Sequence, residues 1–407
     1  MKLFGGRRGR ASPPPRSKAP PDPPEEKLPL GERMRAAIKR VPRALFGLVA
    51  LALLAGAAVY FLWARPPETQ DAGLASPTVR PAMPERTTPP PETPPPPETT
   101  EEPEPEPSAA KAEMRRREAC YTFLILALDP MGANTDAILA GRLDAERGTL
   151  DVVSLPRDTL VNVSWAVKKL NTVYIAEERD MERVLDHVKG LLGFSLDSYA
   201  VVDAVAVEKL VNAMGGVTYY VPRSMDYDDV TQDLHIHLSE GYQYLTGSQV
   251  VDVLRFREGN NGTGYVDGDL GRIRMQQDLL HSVAEQLLQK GTIPNLETLI
   301  EVFRENVTTD LSPNNLAWFA GEFLRMKKEN VRFYTAPGNS VSIRGGSYYA
   351  LELEPWLETL NEALNPYDQD VTPANLDLLR VPAAGDVVST TGETIPIYDF
   401  LNFYALN

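Results

Sequence analysis

Tyr121-Thr122-Phe123-Leu124-Ile125-Leu126-Ala127-Leu128 is a nearly continuous apolar run of residues that favour β-structure. A run of this kind, without polar residues at alternate positions, is typical of a strand whose two faces are both covered. It ends at a turn signal, Asp129-Pro130-Met131-Gly132. The stretch therefore predicts an inner strand of a sheet in a thick-cored α/β domain.

Polar residues collect at the ends of this run and of the two runs that follow. Asn134-Thr135-Asp136 precedes an apolar run at 137–143, and Pro156-Arg157-Asp158-Thr159 ends another at 150–155. In open α/β sheets, ligands bind at the ends of strands. The side chains expected to share a site are therefore Asp129, Asp136, Arg157 and Asp158.

The remaining periodicity predicts further helices and strands. Helices are expected over residues 179–192, 207–214, 271–288, 296–303, 313–326 and 351–364. Strands are expected over residues 199–202, 217–221, 234–238 and 331–334, a strand or hairpin over 341–349, and an acidic turn at 226–229. The alternation at 234–238 places His235 and His237 on one strand face. No third metal ligand follows at a suggestive spacing, which favours a solvated face over a metal site.

A second polar group is predicted around residues 250–277. An apolar run at 250–254 leads to Arg255 and Arg257, which on a strand would share one face. After a glycine-rich loop, a helix is expected to begin at Asp269 and to place Asp269, Arg272 and Gln276 on one face. Beside Arg255 and Arg257, this helix face would form a polar pocket with a positive potential that suits phosphate oxygens. The alternative is an ordinary Asp269–Arg272 ion pair with solvated neighbours.

The two ends of the chain differ in charge. The 407 residues carry a net charge of −15, yet residues 1–43 hold twelve Lys or Arg against four Asp or Glu. Residues 44–63 (ALFGLVALALLAGAAVYFLW) contain no charge and are long enough for a helix to cross a bilayer. The positive-inside rule predicts a single-pass anchor with a disordered, basic cytoplasmic N-terminus (1–43) and an extracytoplasmic C-terminal part. A cleavable signal peptide is the alternative.

Residues 64–117 are predicted to form an extracytoplasmic stalk. They include PPPETPPPPETTEEPEPEP at 89–107, a composition that favours an extended polyproline II spacer. The acidity of this stalk accounts for much of the net charge, which therefore indicates nothing about the ligand. A single cysteine, Cys120, excludes an internal disulfide and provides no zinc signature. No role is predicted for residues 366–407.

The order of several short motifs resembles the LytR-CpsA-Psr family of bacterial cell-envelope glycopolymer transferases. The resemblance covers about residues 118–290 and, more weakly, extends to 365, which sets the predicted catalytic domain at 118–365. It depends on motifs that are weak alone and specific in this order behind one membrane anchor: Thr135-Asp136, Ser154-Leu155-Pro156-Arg157-Asp158-Thr159, Lys169-Leu170-Asn171 with Tyr174, Gly215-Gly216-Val217, Leu245-Thr246-Gly247, Arg255-Phe256-Arg257, and Gly268-Asp269-Leu270-Gly271-Arg272 with Gln276-Gln277.

The resemblance implies a central mixed β-sheet flanked by helices, with an apolar channel for a polyprenyl tail. It implies a phosphotransferase that moves an anionic glycan from an undecaprenyl-pyrophosphate-type carrier to peptidoglycan, assisted by Mg²⁺. Asp136 and Asp269 match the carboxylates associated with the metal. The matches for pyrophosphate contacts are Arg157, Arg255, Arg257, Arg272 and Gln276.

For catalysis, we expect Arg157 and Arg257 to offset charge at phosphorus, with Asp158 or Asp269 accepting the acceptor's hydroxyl proton. Two positions depart from the family pattern, since Asn134 and Met275 stand where arginine is common. Two alternatives to a transferase remain: a non-catalytic polyprenyl-phosphate-binding scaffold or regulator, and a lipid-pyrophosphate hydrolase. Nucleic acid is not expected among the partners.

Overall fold

The structure, a computed structural model, describes residues 64–70, 73–74, 115–129, 132, 134–231, 233–265, 268–290, 296–382 and 387–395. The predicted basic segment (1–43), the predicted membrane helix (44–63) and most of the predicted stalk (64–117) lie outside these residues. Within the described ranges, every helix is too short or too polar to traverse a bilayer.

The strands fall into one large sheet and several small ones. They are β1 (Cys120–Leu128), β2 (Thr135–Asp144), β3 (Thr149–Leu155), β4 (Ser198–Val202), β5 (Val217–Val221), β6 (Met225–Asp229), β7 (Leu234–Leu238), β8 (Gly241–Leu245), β9 (Thr308–Thr309), β10 (Val331–Thr335), β11 (Gly338–Ile343), β12 (Gly346–Leu351), β13 (Leu379–Arg380), β14 (Val387–Ser389) and β15 (Thr394–Ile395).

The α-helices are α1 (Val173–Ala176), α2 (Met181–Leu192), α3 (Ala204–Ala213), α4 (Gly247–Arg255), α5 (Asp269–Lys290), α6 (Leu296–Asn306), α7 (Pro313–Arg325) and α8 (Leu353–Thr359). Short 3₁₀ segments occupy Leu170–Thr172, Lys328–Asn330 and Pro373–Asn375, and a π-helical turn, Leu360–Leu364, extends α8.

The large sheet has the strand order β10-β3-β2-β1-β4-β9. β1 pairs antiparallel with β2 and parallel with β4, so the sheet is mixed. The run at 121–128 is therefore an inner strand, as its composition predicts, and the predicted mixed sheet flanked by helices is confirmed.

The two faces of the large sheet have different surroundings. On one face, Leu124 and Ile138 pack with α2 and with Trp356 of α8 in the main hydrophobic core. On the other face, Ile125, Leu139 and other side chains line a cavity below α3, α4 and α5. The alternation of side chains along each strand produces this division, because neighbouring residues point to opposite faces.

Residues 250–255 form part of helix α4, so the prediction that Arg255 and Arg257 share a strand face is wrong. Thr246 caps the helix, with its side chain accepting from the Gln249 amide while the Gln249 side chain accepts from the Thr246 amide. Val250 and Val253 are buried one helical turn apart. A short apolar run has the same appearance in a buried helix as in a strand, and here the capping box determines the outcome.

The predicted acidic turn at 226–229 is also wrong, because these residues lie in strand β6. Met225 is buried, whereas Asp226 and Asp228 point to solvent. β6 pairs antiparallel with β7, placing Asp228 opposite His235 and Asp226 opposite His237. The burial of β6 alternates as in a strand with one solvated face, but the three aspartates make this alternation hard to recognise in the sequence.

Gly247 allows α4 to lie directly against α3. A Cβ atom at this position would come within 2.1 Å of the Glu208 carbonyl oxygen, a backbone atom that cannot move by itself. We expect Gly247→Ala to lower the free energy of unfolding by about 1–3 kcal/mol, as overpacking does. Thermal unfolding measures this, with Gly190→Ala as the matched control, because a Cβ there makes an ordinary 3.5 Å contact. Equal melting temperatures for the two variants would contradict this account of α3–α4 packing.

Chain segments on both sides of the predicted catalytic domain pack on its body. At the start of the predicted stalk, the Arg65 amide donates to the Asn314 carbonyl, and Leu74 bridges Phe194. Beyond residue 365, Tyr367 and Leu376 are fully buried in the main core. The folded body therefore includes residues outside 118–365.

Candidate functional site

Three arginines from separate parts of the chain converge on Asp136, near the start of β2. The Arg157 Nη1 and Arg257 Nη2 atoms lie 3.1 Å and 3.2 Å from Asp136 Oδ1. The Arg272 Nη2 lies 4.0 Å from the same oxygen and 3.5 Å from the Asp136 carbonyl oxygen. This group of four side chains is called the arginine cluster below.

Local structure determines where each arginine of the cluster lies. Arg157 follows β3 in a turn, and its carbonyl accepts from the Asn171 amide. Arg257 lies two residues beyond the end of α4, and Arg272 lies in the first turn of α5. The Arg272 side chain is only 4% exposed, whereas the Arg257 side chain is 57% exposed. The arginine cluster therefore combines a buried guanidinium, that of Arg272, with an accessible one, that of Arg257.

A polar cavity of about 240 Å³ lies beside the cluster. Its lining includes Arg157, Arg257, Arg272, Glu258 and Tyr265. Three guanidinium groups outnumber the carboxylates around this space, so its potential favours an anion with several oxygens. A diphosphate has this chemistry.

Tyr265 lines the polar cavity but is not among the residues predicted from the sequence. Its hydroxyl is buried and has no hydrogen-bond partner among the described residues. Burial raises the pKa of Tyr265 to about 12, so the hydroxyl stays protonated at neutral pH and can donate to an anion. The only signal in the sequence is an aromatic residue within a glycine-rich loop, which does not by itself indicate a ligand contact.

A second cavity, of about 270 Å³, lies between the large sheet and helices α3, α4 and α5. Its walls are mainly aliphatic, including Ile125, Leu139 and Leu280. The polar members of its lining include Asp136, Arg255, Gln276 and Gln277. Asp136 therefore borders this apolar cavity and also contacts Arg157 and Arg257, which line the polar one.

The other predicted site residues whose side chains the structure describes are not part of the polar cavity's lining. Arg255 lines the apolar cavity rather than the polar one, and so does Gln276. The Asp158 carboxylate forms an ion pair with the Lys169 ammonium at 3.0 Å. Asp129 accepts from the Asn134 side chain and amide, both at 3.2 Å. Asp269 is the first residue of α5, and its side chain is not among those that the structure describes.

The two departures from the family pattern have local roles. Asn134 closes the turn before β2 through its bonds to Asp129. Met275 is 2% exposed and packs in the core formed by strands β5, β6, β7 and β8 and helix α4, where an arginine would be a buried charge. The neighbouring Gln277 donates to Ser154 Oγ, Thr335 Oγ1 and the Tyr334 carbonyl, which fixes α5 on the sheet.

Comparison with known proteins identifies relatives of this chain. A model of the LytR_cpsA_psr family matches residues 98–365. TagV of Bacillus subtilis, named as a polyisoprenyl-teichoic acid–peptidoglycan teichoic acid transferase, is 25% identical over 182 residues, covering 44% of this chain and 45% of that protein. LcpA of Corynebacterium glutamicum, named as a cell wall biosynthesis protein, is 27% identical over 251 residues, covering 54% of this chain and 46% of that protein.

These matches extend over about half the length of the curated relatives. The crystal structure of B. subtilis TagV superimposes with a TM-score of 0.50 at 19% sequence identity, covering 60% of this chain and 97% of that one. This likeness concerns the fold. Because the family model matches well over half of the residues, the chain belongs to the LytR_cpsA_psr family.

Proposed function

We propose that this protein is a phosphotransferase that moves an anionic glycopolymer from an undecaprenyl-pyrophosphate-type lipid to peptidoglycan. The single observation that carries the proposal is the position of Asp136, which borders the apolar cavity and contacts the arginines of the polar one. A polyprenyl diphosphate matches this pair of cavities, because it joins an aliphatic tail to a group of anionic oxygens. The name of TagV, a polyisoprenyl-linked teichoic acid transferase, supports the same substrate class.

The reaction proposed is displacement at phosphorus. A hydroxyl of a muramic acid or N-acetylglucosamine residue attacks the glycan-proximal phosphate and forms a new P–O bond. The bond to the lipid-proximal phosphate breaks, and lipid phosphate leaves with the bonding electrons. Arg157, Arg257 and Arg272 would bind the non-bridging oxygens and offset the charge that develops on them. The hydroxyl proton passes to a base, for which Asp158 and Asp269 remain the candidates.

Mg²⁺ is the proposed cofactor, and the donor set near the cluster is compatible with it. Mg²⁺ is usually held by one or two carboxylates together with substrate phosphates and water, rather than by a complete protein cage. Asp136 provides a hard carboxylate that borders the apolar cavity and contacts arginines of the polar one, and Asp269 is the second candidate ligand. When bound, the ion would supply additional positive charge to the diphosphate.

The proposed location follows from the sequence. Residues 44–63 would anchor the chain with its N-terminus in the cytoplasm, and the stalk would hold the folded body outside the membrane, near peptidoglycan. The lipid carrier lies in the same bilayer, so the anchor would raise the local concentration of the substrate.

A product assay distinguishes the proposal from its alternatives. Purified full-length protein in detergent is incubated with a glycan-linked polyprenyl pyrophosphate, peptidoglycan fragments and Mg²⁺. The proposal predicts covalent glycan–peptidoglycan product and lipid monophosphate. Release of glycan phosphate without coupling would indicate a hydrolase. Binding without either product would indicate a scaffold, and either outcome would overturn the transferase.

The apolar cavity gives a separate prediction about lipid length. Leu280 lines that cavity and is 36% exposed, so Leu280→Glu introduces a charge with little cost to folding. We expect the KM for a long-chain polyprenyl substrate to rise by about tenfold or more, because a tail cannot pack well against a carboxylate. The KM for a short-chain, water-soluble analogue should change little. Val230→Glu is the control, since Val230 is 87% exposed and outside the cavity lining. An equal loss for both substrates would contradict the assignment of the cavity to the tail.

A further inference from the structure

The β6–β7 hairpin presents a compact group of metal-ligating side chains on its solvent face. Asp228, His235 and His237 each offer one ligand atom, and these atoms all lie within 4.8 Å of one another. The group, called the hairpin triad below, is separate from the arginine cluster. It combines two imidazoles with one carboxylate, which is a ligand set typical of Zn²⁺ and other borderline transition metals rather than of Mg²⁺.

The pairing of the hairpin brings these three residues together. Asp228 lies directly opposite His235 in the register, and His237 lies diagonally across from Asp228. The Asp228 Oδ1 is 2.5 Å from His235 Nδ1 and 3.4 Å from His237 Nε2. One carboxylate oxygen therefore already contacts a nitrogen of each imidazole, so small side-chain rotations would place one cation among all three.

Two further carboxylates support the histidines from the other side. Asp226 Oδ1 lies 2.7 Å from His237 Nδ1, the nitrogen that faces away from Asp228. Asp233 Oδ1 lies 3.7 Å from His235 Nε2. A carboxylate on the second nitrogen of a ligating histidine fixes the ring and increases its basicity, an arrangement common around metal sites. The three aspartates also give the face a negative charge that a divalent cation would offset.

The hairpin triad is connected to the loop that carries part of the arginine cluster. The Asp228 amide donates to Asn260 Oδ1 at 2.6 Å, and Asn260 Nδ2 donates to the Asp228 carbonyl at 3.0 Å. The Asn260 amide lies 3.3 Å from the Asp226 carbonyl. Asn260 belongs to the segment between Arg257 and Tyr265, both of which line the polar cavity. These hydrogen bonds join β6 to this segment, so a more rigid β6 would restrain the segment as well.

We propose that Asp228, His235 and His237 bind a Zn²⁺-type transition-metal ion, and that the bound ion stabilises the loop carrying Arg257 and Tyr265. The site is accessible, because its three side chains are each about half exposed. A water molecule would complete a tetrahedral shell. This site is independent of the diphosphate reaction, so its existence does not depend on the proposed transferase activity.

Zinc uptake by the full-length protein tests the site. Titration calorimetry with ZnCl₂ is performed in excess MgCl₂, so that sites preferring hard oxygen ligands are already occupied. We expect one Zn²⁺ per chain with a Kd on the order of 10 µM or tighter. The double variant His235→Gln/His237→Gln should bind at least about tenfold more weakly. His281→Gln is the matched control, because His281 is an exposed histidine on α5. Equal uptake by the wild type and the double variant would overturn the site.

Two further measurements complete the test. Co²⁺ bound in place of Zn²⁺ should give visible absorption bands that the double variant lacks. Amide hydrogen exchange should show slower exchange at Asp228 and Gly262 when Zn²⁺ is added to the wild type, and no change in the double variant. Zinc binding without any change in loop exchange would overturn the coupling to Arg257. Equal circular dichroism spectra without metal would verify that the double variant is folded.

Discussion

Arg157→Ala should reduce the rate of glycan transfer by about 10²–10³-fold, the loss that follows removal of one preorganised donor to a developing oxyanion. The Arg157 side chain contacts Asp136 and lines the polar cavity, so its removal would take one guanidinium away from the proposed diphosphate site. The fold should tolerate this change, because the side chain is 22% exposed and lies in a turn. Steady-state kinetics together with thermal unfolding would measure both effects.

Arg183→Ala is the matched control for that experiment. Arg183 is 64% exposed, lies on α2 and forms ion pairs with Glu177 and Asp180. Exposed pairs of this kind contribute little, so transfer and stability should both stay near the wild-type values. If Arg157→Ala and Arg183→Ala turned over substrate equally well, the arginine cluster would have no part in the reaction.

Asp136→Asn should have two opposite effects on the same site. Transfer should fall by about 10²-fold or more, because the variant loses the carboxylate proposed to hold Mg²⁺. Without metal, inorganic pyrophosphate should bind about tenfold more tightly, because a negative charge that contacts Arg157 and Arg257 is gone. Calorimetry in EDTA and the transfer assay in Mg²⁺ measure the two effects separately.

The control for Asp136→Asn is Asp186→Asn, which changes an exposed carboxylate on α2. It should leave both pyrophosphate binding and transfer unchanged. Weaker metal-free binding of pyrophosphate by Asp136→Asn would show that the anion does not lie beside the arginines. Unchanged transfer would show that Asp136 is not required.

The sequence predicts the central sheet well because its strands depend on local pattern. The run at 121–128 lacks polar alternation, and only an inner position satisfies that composition. A local hydrophobic pattern cannot identify an element when a helix and a strand would both show the same pattern. Residues 250–255 could be a strand or a helix by hydrophobicity alone, and the Thr246–Gln249 capping box decides in favour of the helix. Strand β6 is predicted as a turn for a different reason. Aspartate is common in turns, and the three aspartates of β6 obscure the alternation of a strand.

Motif order in the sequence identifies candidate site residues, but it does not show which of their side chains are neighbours. Asp136 and Arg257 are far apart in sequence, and only the fold shows that their side chains are in contact. The same holds for the hairpin triad, whose carboxylate comes from the strand opposite the two histidines. Spacing along the chain could not show that Asp228 is the third group. Tyr265 was missed because its burial depends on packing against Phe256, at a centroid distance of 6.1 Å.

The most direct measurement is a crystal structure of the protein with Mg²⁺ and a non-hydrolysable polyprenyl pyrophosphate analogue. We expect diphosphate oxygens within hydrogen-bond distance of Arg157, Arg257 and Arg272, with the tail running past Leu139 into the apolar cavity, as the proposed function requires. A diphosphate bound elsewhere, or a tail lying outside that cavity while the arginines contact only Asp136, would contradict it.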